Sequence, residues 1–145
     1  MSRLLVFAQL LLIVLIAAPG NIPGNAPELT AISIALFMLG LIAAGAALAV
    51  MPARTFSVLP EPRSGAALVT RGIYRHVRHP MYLAVLLCGL AACLAYGSAT
   101  KWSLLALLAG VLAIKIRREE NFLLERFSDY ADYRRRTKAI IPFLL

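Results

Sequence analysis

At 145 residues, 61% of them hydrophobic, and with a mean hydropathy of +0.79, the chain lies well above the roughly 45–50% apolar share of a soluble domain. That excludes an ordinary soluble globule and marks an integral membrane protein of one unit, residues 1–145, with no long polar linker. The net charge is +8, from 15 Lys and Arg against 7 Asp and Glu; this invites nucleic acid as a partner, but the placement of the charges assigns them to membrane orientation.

The first apolar run, Leu4 to Ala18, is closed by Pro19-Gly20. At ~1.5 Å per residue it falls short of a ~30 Å hydrocarbon core unless residues 1–3 extend it or the bilayer thins. Arg3, the run itself and Ala17-Ala18 also fit a secretory signal pattern. Either reading puts 19–28 outside, and a retained helix is expected. Residues 21–27, Asn-Ile-Pro-Gly-Asn-Ala-Pro, form a short uncharged outer loop. Leu29 to Met51 is the clearest span, free of charge. Gly40 and Ala44, then Gly45 and Ala49, are spaced four apart, which lets a neighbouring helix come close. Residues 1–51 thus hold two spanning helices.

Pro52 to Thr70 is a polar connection with Pro60, Pro62 and Gly65, long enough to fold over a site. Met81 to Tyr96 and Trp102 to Ile116 are two short apolar runs joined by Gly-Ser-Ala-Thr-Lys at 97–101, a joint tight enough to make them antiparallel neighbours. Cys88 and Cys93 lie five apart in the first of these runs. They read as small buried residues rather than a disulfide or a metal site. The second run carries Ala106, Ala109, Gly110 and Ala113 at packing spacings. Lys115 to Arg136 is expected to continue it in register as a charged helix. With four spans and Arg3 inside, fourteen of the fifteen basic residues share one face and only Lys101 lies opposite. This is the positive-inside pattern; it puts both termini in the cytosol and accounts for the charge without nucleic acid.

Two polar stretches meet on that inner face. Residues 68–82 read Leu-Val-Thr-Arg-Gly-Ile-Tyr-Arg-His-Val-Arg-His-Pro-Met-Tyr, at the mouth of an apolar helix. Pro80 suits a helix's first turn, and His79 before it is biased toward extended backbone. The second stretch runs from Lys115 through Glu119, Glu120 and Glu125 to Tyr130, Tyr133 and 140–143. A positive-inside anchor explains the arginines but not the tyrosines and histidines; a charged ligand held beside the lipid explains all of them. Taken alone, Lys115 and Glu119, four apart, read as a surface ion pair worth a few tenths of a kcal/mol. His76 and His79, three apart, lack a third metal ligand.

Together, residues 68–82, a helical hairpin, Glu119-Glu120-x-x-Leu123, Tyr130-x-x-Tyr133 and Ile141-Pro142 resemble the isoprenylcysteine carboxyl methyltransferase family, part of a wider group with the phospholipid N-methyltransferases. The likeness covers residues 50–145. Arg-His-Pro-x-Tyr and the later Glu-Glu are its most specific part, and neither identifies the methyl acceptor. It implies an all-α polytopic membrane fold with four transmembrane helices and a cytosolic C-terminal helix. It also implies S-adenosylmethionine as methyl donor, bound within 52–145. By position, Leu68 and Val69 would line that cofactor and Tyr74 would help enclose it. His79, Pro80, Met81 and Tyr82 would form its wall, and Glu119, with Glu120 the near alternative, would take its ammonium group.

Lys115 stands where the family commonly carries a substrate-contacting arginine; lysine keeps the charge but loses the bidentate grip on a carboxylate. Residues 127–130, Phe-Ser-Asp-Tyr, are one shorter than the family's usual Phe-Gly-x-x-Tyr, which re-phases Tyr130 and Tyr133. A lipophilic carboxylate acceptor of the isoprenylcysteine type is expected, needing no general base and relying on positioning and desolvation. A phospholipid amine methyltransferase and a non-catalytic basic scaffold for anionic lipid are the alternatives. No catalytic residue is assigned, and no metal.

Overall fold

The protein, seen in a computed structural model, is described over residues 2–18, 30–52 and 67–140. The outer loop at 21–27, most of the connection at 52–70 and Ile141-Pro142 lie outside the described residues. The elements are α1 (Ser2–Ala17), α2 (Ala31–Val50), a 3-10 turn (Gly72–Arg75), α3 (Pro80–Tyr96), α4 (Ala99–Arg126) and α5 (Tyr130–Arg136). Strand-like pairing among the described residues is limited to one parallel bridge between Val77 and Lys138.

Local chemistry sets the helix ends. Thr30 opens α2: its Oγ1 accepts the Ser33 N–H at 3.2 Å, satisfying one of the unpaired first-turn donors. Pro80 opens α3, where its missing N–H costs nothing. Gly97 closes α3 in the left-handed region, φ +58°, which spares any side-chain clash. Among the described residues two helices, α2 with 20 residues and α4 with 28, are long and apolar enough to cross a membrane. The helices α1 and α3 are also apolar but shorter, at 16 and 17 residues.

Packing pairs α2 with α3, and α1 with α4 and, more lightly, α3. Leu12 and Ile16 of α1 meet Leu108 and Leu112 of α4 in the core, flanked by Tyr82, Val85 and Leu86 of α3. The outer faces stay apolar, with Phe7, Val14, Ile32, Ile42 and Leu107 exposed. Such a continuous exposed apolar surface is the mark of contact with lipid. Lys101, by contrast, is buried, and its Nζ donates to the carbonyls of Ile16 at 2.6 Å and Ala18 at 2.7 Å. It thereby caps the end of α1, whose last carbonyls lack intrahelical partners and carry the negative end of the dipole.

Two sequence expectations are corrected. The buried face of α2 is Ser33, Gly40, Ala43 and Ala47, so Gly45 and Ala49 point outward. Ala106, Ala109, Gly110 and Ala113 are likewise exposed, while α4 buries Leu108, Leu112, Lys115, Ile116 and Glu120. A helix with small residues on several sides has no single phase that spacing alone selects. Second, the charged helix does not run unbroken to Arg136. It stops at Arg126, where Phe127 turns extended (φ −122°, ψ 114°) and its N–H bonds the Leu123 carbonyl at 2.9 Å. The chain then folds back as α5, because contacts to the head of α3 outweigh the local preference to continue.

Gly40 is the tightest point between α2 and α3: a Cβ there would lie 2.7 Å from Cys88 Sγ and 3.1 Å from the Ala84 carbonyl oxygen. Gly40→Ala is expected to destabilise the protein by about 1–3 kcal/mol through overpacking. Gly45→Ala, with nothing within 4 Å, is expected to cause no loss. Thermal unfolding of both variants in detergent micelles checks the contrast.

Candidate functional site

The polar corner is built by folding 67–80 against α2 and α5. Gly72 adopts φ +61°, and a Cβ there would meet Val50 Cγ1 at 2.8 Å, so both the conformation and the space at the end of α2 call for glycine. The turn that follows buries Tyr74, whose carbonyl accepts the Tyr133 hydroxyl at 2.6 Å. Beyond it the backbone pairs with the segment after α5: Lys138 N–H to the His76 carbonyl at 3.2 Å, Arg78 N–H to Lys138 at 2.8 Å and His79 N–H to Ala139 at 2.9 Å.

Arg78 is the hub. Its Nε bonds Glu120 Oε1 at 2.7 Å, and its Nη1 donates to the carbonyls of Arg134 (3.0 Å) and Thr137. Arg134 Nε meets the other oxygen of Glu120 at 3.1 Å. His79 Nε2 lies 3.4 Å from Glu120 Oε1. Burial alone would raise the Glu120 carboxyl, but hydrogen bonds from His79 and Arg78, with their charges, outweigh it and hold it down at about 2. Glu120 is therefore a saturated structural anion.

Glu119, the next residue, is placed differently. Its side chain is 30% exposed, and both of its contacts fall on Oε2: the Tyr82 hydroxyl at 3.0 Å and His79 Nδ1 at 3.6 Å. Its other oxygen has no partner among the described residues. The rings of His79 and Tyr82 stack beside it, 5.5 Å apart and 12° from parallel.

A cleft of about 650 Å³ adjoins this corner, lined by Leu68, Thr70, Arg75, Asp129, Tyr133, Arg136 and Thr137. The volume falls within the roughly 300–1,000 Å³ of small-molecule sites. Tyr133 and Thr137 join the two, since Tyr133 bonds Tyr74 and Thr137 accepts from Arg78. Tyr130 packs edge-on to Tyr133 at 5.8 Å. Its hydroxyl is buried with no partner among the described residues, the kind of orphan a ligand satisfies. Burial, reinforced by the charge of Glu119, pushes the Tyr74 hydroxyl up to about 12. Burial likewise carries Tyr133 to about 12, so both stay protonated donors.

Of the residues singled out from sequence, His79, Pro80, Tyr82, Glu119 and Glu120 converge, with Tyr74 adjoining and Leu68 on the cleft. Val69 and Met81 are half-buried, and no described contact draws them into the cluster. His76 is exposed and takes part only through its backbone. Lys115 is not a surface residue: it is 1% exposed and bonds Gln9. Sequence reasoning missed Arg78, Arg134 and Gln9. Arg78 and Arg134 were hidden among the orienting charges, whereas Gln9 was visible as the lone polar side chain within 4–18.

Residues 29–130 match the model of the phospholipid methyltransferase family. The chain is 34% identical over 120 residues to the cobalt-zinc-cadmium resistance protein CzcN of Cupriavidus metallidurans, covering 79% of this chain and 53% of that protein. It is 32% identical over 120 residues to the nickel-cobalt-cadmium resistance protein NccN of Alcaligenes xylosoxydans xylosoxydans, covering 79% and 54% respectively. The chain thus spans about half the length of the relatives it matches.

Because the Glu120 carboxyl titrates lower folded than unfolded, its contribution is fully present above its ordinary value of 4.5 and is lost as pH falls toward 2. Glu120→Gln is expected to cost about 3 kcal/mol at neutral pH, the scale of breaking a buried ion pair. It should also flatten the loss of stability between pH 5 and pH 2. Denaturant melts of both proteins across that range provide the check.

Proposed function

Because this chain belongs to the phospholipid methyltransferase family, within the isoprenylcysteine carboxyl methyltransferase-like group, we propose that it is an integral membrane methyltransferase. Its donor is S-adenosylmethionine and its acceptor is lipophilic. The carrying observation is the unequal placement of Glu119 and Glu120. One carboxylate is saturated by two arginines, while the other keeps an oxygen with no partner among the described residues beside an aromatic stack. A ligand with an ammonium and a sulfonium calls for such a carboxylate and such ring faces.

In this reading Glu119 receives the donor's ammonium group, and Tyr82 and His79 orient Glu119. Leu68 and Tyr133 give the cleft its apolar wall, and Tyr130 offers its hydroxyl. When bound, the donor supplies a methyl group on a positively charged sulfur. Both ring nitrogens of His79 face glutamates, so neither is presented to an acceptor as a base. That favours an acceptor needing none, a carboxylate of the isoprenylcysteine type. The family's name favours the second reading, a phospholipid amine. In both readings α1 to α4 cross the bilayer with the termini cytosolic. The 16 and 17 residues of α1 and α3 are then accommodated by local thinning. The resistance named for the relatives specifies no acceptor, and the proposal gives metal no part in this chain.

Glu119→Gln is expected to weaken binding of S-adenosylhomocysteine roughly ten- to a hundredfold, the range of a hydrogen bond to a charged group, at an unchanged melting temperature. Titration calorimetry measures it. Folded wild-type protein that binds neither donor nor product, or a variant that binds as tightly as wild type, defeats the reading. Label from radioactive donor that base releases as methanol selects the carboxylate acceptor.

A further inference from the structure

Charges of both signs line the cleft without meeting. Asp129, just before α5, shares the space of about 650 Å³ with Arg75 and with Arg136 at the end of α5. None of the ion pairs among the described residues joins the aspartate to either arginine.

An aspartate ahead of a helix ordinarily turns its carboxylate onto the first free N–H groups. Asp129 starts α5 with its backbone, its carbonyl accepting the Tyr133 N–H at 3.1 Å. Its side chain makes no capping bond. Oδ1 accepts the Ser128 hydroxyl at 3.2 Å, and Oδ2 has no partner among the described residues. The carboxylate thus forgoes a stabilising contact with α5 and is left lining the cleft. This placement belongs to the short turn Phe127-Ser-Asp-Tyr130.

An ionised carboxylate accepts hydrogen bonds and donates none. In the proposed donor the ammonium group is already assigned to Glu119. The adenine edge sets its amino group beside ring nitrogens whose lone pairs would repel a second carboxylate oxygen. The ribose instead offers two neighbouring hydroxyls, a match for the two oxygens of one carboxylate and the pairing by which acidic side chains read ribose elsewhere. We propose that Asp129 holds the ribose hydroxyls of S-adenosylmethionine and so sets a preference for a ribonucleoside donor. The guanidinium groups of Arg75 and Arg136, which only donate, suit the acceptor nitrogens of the purine. The proposal rests on the reading that the cleft takes the methyl donor, and it names the group that recognises the sugar.

The test uses the full chain in dodecyl maltoside micelles and titration calorimetry with S-adenosylhomocysteine and its 2′-deoxyribose analogue. Wild-type protein is expected to bind the deoxy analogue roughly ten- to a hundredfold more weakly, the range of a hydrogen bond to a charged group. Asp129→Ala should weaken S-adenosylhomocysteine by a similar factor and tell the two sugars apart by less than about threefold, because partners in one contact are not additive. A merely structural loss would weaken both ligands alike and leave the discrimination in place. Asp132→Ala removes the same charge three residues on, where the side chain pairs with Arg135, and should bind within about twofold of wild type.

Four results overturn the proposal: wild-type protein indifferent to the sugar, Asp129→Ala binding S-adenosylhomocysteine as tightly as wild type, discrimination retained in that variant, or equal weakening by Asp132→Ala. Each leaves the donor site standing if Glu119→Gln still weakens binding. Wild-type protein that binds no S-adenosylhomocysteine overturns the methyltransferase reading itself, and this proposal with it.

Discussion

One guanidinium joins the parts of this protein that carry polar chemistry. Arg78 stands just before the His79-Pro80 start of α3, reaches Glu120 on α4, and holds two carbonyls at the end of α5. The second oxygen of Glu120 closes the circuit through Arg134. Such a buried arrangement is stabilising only while complete, since removing one member strands a charge in a poorly solvated place. Tyr133 and Thr137, which wall the cleft, keep their positions because α5 is held in this way.

That circuit also explains how two neighbouring glutamates acquire different work. Successive residues on a helix point about 100° apart, so Glu120 turns inward to the arginines while Glu119 faces Tyr82 and His79. The inward carboxylate is held strongly acidic by its donors and has nothing left to give a ligand. The outward one keeps an oxygen with no partner among the described residues. In the proposed reading stability and recognition are thus divided between adjacent residues, each fixed by the element packed against it.

The helices were largely legible because hydropathy is a strong local signal. An uncharged run at 29–51 became α2 over Ala31–Val50, and Met81 to Tyr96 became α3 with Pro80 as its first residue. The Glu-Glu pair and the His-Pro corner were legible by motif. Three other features were not. The break before α5 depends on Arg78, 56 and 59 residues from the carbonyls it holds, and nothing near Phe127 reports that contact. The packing faces of α2 and α4 were obscured because small residues surround both helices. Gln9 is the lone polar side chain in its run, but its partner lies 106 positions away.

The two lysines that hold α1 have a geometric consequence. Lys101 grips its end and Lys115 its middle, and both belong to the same uninterrupted α4. Together they act as two pins through one ruler, fixing the sliding register of a helix pair whose greasy surfaces would otherwise tolerate several. Adding one residue to α4 between the pins would rotate the second by about 100° relative to the first, so both could no longer engage. The length of that stretch is therefore constrained more tightly than the identity of the side chains within it.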